Sequence, residues 1–78
     1  MIYLERHDPD ENLHRFYVLQ ISRDLFGLWV LTRVWGRAGA KSGQSIITSY
    51  KSKTEAAAQL EEVSGEKRKR GYAVRSRG

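Results

Sequence analysis

The sequence contains no cysteine and only one proline in 78 residues. Without cysteine, neither a disulfide nor a thiolate zinc site can stabilise the chain, and this composition suits a reducing compartment. No apolar run approaches the length of a membrane-spanning helix, and the first residues lack the basic and apolar regions of a secretory signal. We therefore expect a soluble, cytoplasmic protein of one small domain with no membrane contact.

Three successive stretches of the sequence each carry charges of only one sign. Residues 32–54 hold five Lys/Arg and no acid, residues 55–66 hold four acids and no base, and residues 67–78 hold six Lys/Arg and no acid. The formal net charge is +5. Two purely basic segments on one small fold predict a footprint for phosphate groups. We expect a domain over residues 1–74, followed by a basic C-terminal tail at 75–78.

The pattern of apolar residues predicts an α+β fold. Ser52 to Glu55 match a capping box, and the following residues predict a helix over at least 53–64 that presents Ala56, Leu60 and Val63 to a sheet. The fold class is an antiparallel sheet of about four to five strands with one main α-helix on one face. Strands rich in β-branched and aromatic residues are predicted at 1–6, 14–22, 28–35, 45–51 and 72–75.

The second and third predicted strands should pair as a hairpin around Gly27. If Arg23 lies opposite Leu28, then Trp35 lies on the sheet face away from the helix, beside Arg33. We therefore expect Trp35 to be at least partly exposed to solvent. A register slip of one residue would exchange the two faces.

The glycine-rich segment from residue 33 to 44, RVWGRAGAKSGQ, carries the main candidate site. An indole can stack on a base or sugar, and guanidinium groups bind phosphate as a fork. Gly36 removes a Cβ and allows a partner's backbone to come close. The alternative is that the tryptophan only caps the core. The candidate nucleic-acid-binding residues in this segment are Arg33, Trp35, Gly36, Arg37 and Lys41.

A second candidate contact is the run Lys67, Arg68, Lys69 and Arg70. Four cations at the end of a helix suit its macrodipole. The same cations can also neutralise phosphates, and the two roles are compatible.

Around these residues the sequence resembles the WGR domain, a family named for its Trp-Gly-Arg motif and found in poly(ADP-ribose) polymerases and bacterial proteins. The resemblance covers roughly residues 12–72 and includes five segments in the family's order: RFYVLQI, LWVLTRVWGRAG, SGQ, SKTEAAAQL and EKRKRGY. It implies an antiparallel sheet with a flanking helix. In the polymerases the domain helps to recognise DNA breaks, with the motif Trp against the strand end and the motif Arg bridging to DNA or to other domains. Here those residues are Trp35 and Arg37.

Other chemistry is poorly supported by the sequence. The GAKSG stretch has Ala40 where a P-loop needs glycine before Lys-Ser. His7 and His14 lack further ligands, and no nucleophile sits on a recognisable elbow. We expect no enzyme activity, no cofactor and no metal. The leading hypothesis is a nucleic-acid-binding module that prefers DNA to RNA, with DNA ends or breaks as the candidate target. The alternative is a protein-interaction adaptor that uses the same basic, aromatic surface.

Overall fold

The computed structural model describes residues 1–40 and 43–78. Within these residues, one five-stranded antiparallel sheet has the strand order β4-β3-β2-β1-β5, and one α-helix packs on one of its faces. The fold class predicted from the sequence is therefore confirmed. The elements are β1 (Ile2–Asp8), a short 3-10 helix (Pro9–Glu11), β2 (Leu13–Arg23), β3 (Trp29–Arg37), β4 (Gln44–Tyr50), α1 (Lys53–Lys69) and β5 (Ala73–Arg77).

The core lies between α1 and the sheet face that it covers, which we call the helix face. Each strand contributes alternate residues to this face, so cross-strand neighbours such as Ile2 and Leu19 are buried together. From the helix, Leu60 and Val63 fill the other side of the core, with Ala56 also buried. The predicted helical stripe is confirmed at these three positions. The buried core cluster is Ile2, Leu4, Tyr17, Leu19, Leu31, Leu60 and Val63.

Helix α1 begins where its sequence predicts and extends beyond the predicted minimum of 53–64. The Ser52 hydroxyl accepts a hydrogen bond from the Glu55 backbone N–H at 3.1 Å, which is the first half of the predicted capping box. The helix continues through Gly65 to Lys69. Gly71 then adopts a φ of +100°, the left-handed conformation that commonly ends a helix.

The pairing of β2 with β3 differs from the prediction by one residue. Arg23 pairs with Trp29, and Tyr17 pairs with Trp35. The reason is the loop between the strands, which has five residues. Asp24 holds it together, because its carboxylate accepts hydrogen bonds from the backbone of Phe26 and Leu28, both at 2.9 Å.

This one-residue difference reverses the face assigned to every residue of β3. The predicted position of Trp35 on the face away from the helix is therefore wrong, and Arg33 moves with it. The predicted partial exposure of Trp35 is confirmed.

The C-terminal residues form a strand where the sequence predicted a tail from residue 75 onward. Strand β5 includes Arg75 and Arg77, and it pairs antiparallel with β1 along the edge of the sheet. Arg75 lies 3.6 Å from the carboxylate of Glu5, and Arg77 forms an ion pair with Glu61. These contacts tie the basic end of the chain to the domain.

Candidate nucleic-acid interface

Trp35 lies on the helix face, close to the C-terminal end of α1. Its ring stacks on that of its cross-strand partner Tyr17, with centroids 5.6 Å apart and planes inclined by 13°. Tyr17 is buried and Trp35 only partly so. The stacking contact with the buried tyrosine orients the exposed part of the indole.

Arg33 is fixed by the same tyrosine. Its Nε donates a hydrogen bond to the Tyr17 hydroxyl at 2.8 Å. Since this bond uses Nε, it leaves the two terminal nitrogens of the guanidinium as potential donors to a ligand. Tyr17 therefore positions both a stacking ring and a fork of donors.

Lys67 brings the helix into the same site. Its ammonium lies 4.6 Å from the Tyr17 ring centre and 5.9 Å from that of Tyr72. Burial lowers the pKa of Lys67, and the nearby positive charges of Arg70 and Arg33 lower it further. Arg33 and Lys67 both contact the Tyr17 side chain, so the cations of β3 and of the helix end meet at one residue.

A row of three arginines crosses the helix face next to Trp35. Arg6 pairs with Arg15 between β1 and β2, and Arg15 pairs with Arg37 between β2 and β3. Like charges directly opposite each other destabilise a pair of strands. Among residues 1–40 and 43–78, Glu5 forms an ion pair with Arg75 and lies 3.5 Å from the His7 ring, and Glu61 forms an ion pair with Arg77. Within that part of the chain, no carboxylate forms an ion pair with the arginine row.

The arginine row also reaches the end of the helix. A Cβ atom added to Gly71 would lie 3.3 Å from Arg6 Nε, so the Arg6 side chain packs against the turn that ends α1. The row, Trp35, Arg33 and the helix end therefore form one continuous surface. We call it the basic aromatic surface; its members are Arg6, Arg15, Arg33, Trp35, Arg37, Lys67 and Arg70.

The four cations predicted as a second contact, residues 67–70, do not all lie on the same side of the helix end. Lys67 is partly buried, whereas Arg68, Lys69 and the helix C-cap Arg70 are exposed. Arg70 follows Lys67 by three residues and therefore lies on the same side of the helix end. The structure thus joins two of the four residues to the basic aromatic surface. Lys41 falls outside the described residues.

The glycines near Trp35 allow close approach of backbone segments. A Cβ at Gly43 would lie 2.4 Å from the Trp35 carbonyl oxygen, and one at Gly36 would lie 3.3 Å from the Phe16 ring. The first distance is too short for any side chain. Gly43 therefore lies directly against the Trp35 backbone, beside a depression lined by Arg15, Trp35, Gly36, Gly43 and Gln44.

Reasoning from the sequence missed Arg6 and Arg15. Both lie in a segment whose net charge is negative, so the distribution of charge along the chain does not reveal them. The spacing of Arg15 two residues before Tyr17 is the available signal, because alternate strand residues share a face. That signal is informative only once the pairing of Tyr17 with Trp35 is known.

The fold and this surface define a small α+β module whose exposed chemistry is cationic and aromatic. The model of the WGR domain family matches residues 1–78, and the chain belongs to that family. The WGR family is associated with nucleic-acid binding.

One curated relative is the uncharacterized protein y4dW of Sinorhizobium fredii (strain NBRC 101917 / NGR234), which is 39% identical over 74 residues. The alignment covers 95% of this chain and 36% of the relative, so the chain spans about a third of that protein's length. No solved structure matches the chain. None of the described residues forms a helix long and apolar enough to cross a membrane.

Proposed function

We propose that this WGR domain is a non-catalytic module that binds nucleic acid, and DNA in preference to RNA, through its basic aromatic surface. The observation that carries the proposal is the arginine row. Three arginines aligned on adjacent strands repel one another, and an external anion would remove that cost. Phosphate groups suit guanidinium donors because each can accept a fork of two hydrogen bonds.

Trp35 adds an aromatic contact beside these cations. Stacking on a base or sugar does not depend on sequence, since every base has a π-face. With the ring already held by Tyr17, little conformational entropy would be lost on binding. The arrangement therefore supports binding to a strand terminus, where a base or sugar is accessible for stacking, with phosphates along the arginine row. Lys41 stays a proposed contact in the same loop, and Arg68 and Lys69 stay proposed contacts to more distant phosphates.

The test is a fluorescence anisotropy titration with labelled blunt, nicked and single-stranded DNA and a matched RNA duplex, at two salt concentrations. We expect the DNA with accessible termini to bind most tightly and the affinity to fall steeply with salt. Equal and weak binding to all four, with no effect of salt, would contradict the proposal.

The second candidate function is a protein-interaction adaptor that uses the same surface. It is favoured by the geometry of the arginine row, because a carboxylate accepts the same two-donor fork as a phosphate. A competition experiment separates the two functions: a poly-glutamate peptide should displace DNA only at high concentration if nucleic acid is the true ligand. The cytoplasmic location stays a prediction from the composition.

A further inference from the structure

The two edge strands of the sheet differ in how strongly their residues discourage pairing with another chain. Strand β5 carries Arg75 and Arg77, and charges on an edge strand discourage pairing with another chain. Strand β4, at the opposite edge, has the sequence QSIITSY and contains neither a charged residue nor a proline. Its side chains Ile46 and Ile47 are 45% and 67% exposed. An edge strand with exposed isoleucines and no charge or proline is a template for addition of a further strand.

The order of residues in β4 is compatible with pairing to itself. In an antiparallel pair centred on Ile47, this residue faces its own copy and Ser45 faces Ser49, while Ile46 faces Thr48. Each of these pairs joins β-branched or hydroxyl side chains, which stabilise cross-strand contacts. No charge opposes a like charge over the length of the strand. The β4 strand of a second copy can therefore pair with this edge along its whole length.

We infer that β4 is a self-association edge, at which two copies of this chain join their five-stranded sheets into one continuous antiparallel sheet about a two-fold axis beside Ile47. The same surface patch serves both copies, as in other isologous dimers. Since a single seven-residue strand forms a small contact, we expect a weak dimer with a dissociation constant on the order of micromolar or higher.

The two-fold axis has a consequence for the basic aromatic surface. In an antiparallel strand pair the axis is perpendicular to the sheet, so both helices and both basic aromatic surfaces lie on the same side. Trp35 pairs with Gln44, one strand in from the edge. From strand geometry, the two Trp35 residues would be roughly 25 Å apart, close enough for both to contact one nucleic acid. This consequence rests on the proposed function, whereas the dimer itself does not.

The experiment is analytical ultracentrifugation of the whole chain without nucleic acid, from micromolar to millimolar concentration. We expect a reversible monomer–dimer equilibrium. Ile47→Lys places two ammonium groups against each other at the axis and should raise the dissociation constant by about tenfold or more. Val74→Lys is the matched control, because Val74 is also an exposed strand residue (39%) but lies on the opposite edge; it should leave the equilibrium unchanged.

A crosslinking experiment keeps the inference testable if either lysine variant folds poorly. The chain contains no cysteine, so Ile47→Cys introduces a single thiol. Oxidised glutathione should convert this variant to a disulfide-linked dimer while leaving Val74→Cys monomeric. The inference is overturned by a wild-type chain that stays monomeric at millimolar concentration, by equal effects of the two lysine variants, or by equal crosslinking of the two cysteine variants. Because no nucleic acid is present, these outcomes are independent of the DNA-binding proposal.

Discussion

At the scale of single residues, Arg15 offers a direct test of the basic aromatic surface, because the sequence did not suggest it. Arg15 lies between Arg6 and Arg37 in the arginine row. Arg15→Ala should weaken DNA binding and reduce the slope of log K against log salt by about one if Arg15 contacts a phosphate. Removing a like charge should leave the free energy of unfolding unchanged or raise it slightly.

Arg23→Ala is the control for this substitution. Arg23 lies on the same strand and the same face but at its far end, beside Trp29. DNA affinity and salt dependence should change little, since one exposed charge far from the site contributes only through screened, long-range attraction. If Arg15→Ala and Arg23→Ala had the same effect in anisotropy titrations, the arginine row would have no special role.

Trp35→Ala should reduce DNA affinity by roughly 1–3 kcal/mol and leave the salt slope almost unchanged, because stacking releases no counterions. The matched control is Trp29→Ala. Trp29 lies on the same strand and face, at the opposite end, between Arg23 and Lys53. Circular dichroism should confirm that both variants are folded, since Trp35 also packs on Tyr17. Unchanged affinity of Trp35→Ala for DNA ends would make it a packing residue or a protein anchor.

Ser64 is a buried polar residue whose role is structural. Its hydroxyl is buried and has no hydrogen-bond partner among the described residues. Burying an unsatisfied hydroxyl costs free energy, and alanine also favours the helix. Ser64→Ala should therefore raise the free energy of unfolding by about 1 kcal/mol in urea titrations. A loss of stability would indicate that the hydroxyl bonds to a buried water or to the helix backbone.

At the scale of elements, the N-terminus of α1 depends on one side chain. Ser52→Ala removes the hydroxyl that accepts from the Glu55 N–H and should lower the free energy of unfolding by on the order of 1 kcal/mol. Thr54→Ala is the control: Thr54 is an exposed residue in the same turn, with no capping contact in the described structure. Denaturant titrations in which both variants matched the wild type would argue against the cap.

The loop between β2 and β3 determines which face of the sheet each residue of β3 occupies. Asp24 binds two backbone N–H groups, and Gly27 adopts a φ of +80°. Together they make a five-residue connection instead of the four-residue turn predicted from the sequence. Because side chains alternate along a strand, the one additional loop residue places Trp35, Arg33 and Arg37 on the helix face.

At the scale of the whole molecule, the salt dependence of DNA binding measures how much of the surface is used. If about three to five phosphates are neutralised, log K should fall against log salt with a slope of roughly −3 to −4. A slope near zero would exclude binding through phosphates. A much steeper slope would mean that cations beyond the basic aromatic surface take part, or that two copies bind together.

The sequence by itself determined the elements of this protein. The capping box at Ser52, the apolar stripe of α1 and the runs of β-branched residues are local signals, because helix caps and strand propensity depend on neighbours along the chain. The same holds for the WGR motif and the two basic stretches 32–54 and 67–78, which predict a nucleic-acid-binding module from local sequence alone.

Only the tertiary structure decided which residues share a face. The pairing of Tyr17 with Trp35 follows from a loop one residue longer than predicted, and the alternation of strand side chains amplifies that difference across the sheet. Arg6 and Arg15 joined the site through strand pairing, although they are distant from the motif in sequence. The strand formed by residues 73–77 likewise depends on its pairing with β1. Contacts between residues far apart in the chain have no local signal, which is why the elements could be predicted and the arginine row could not.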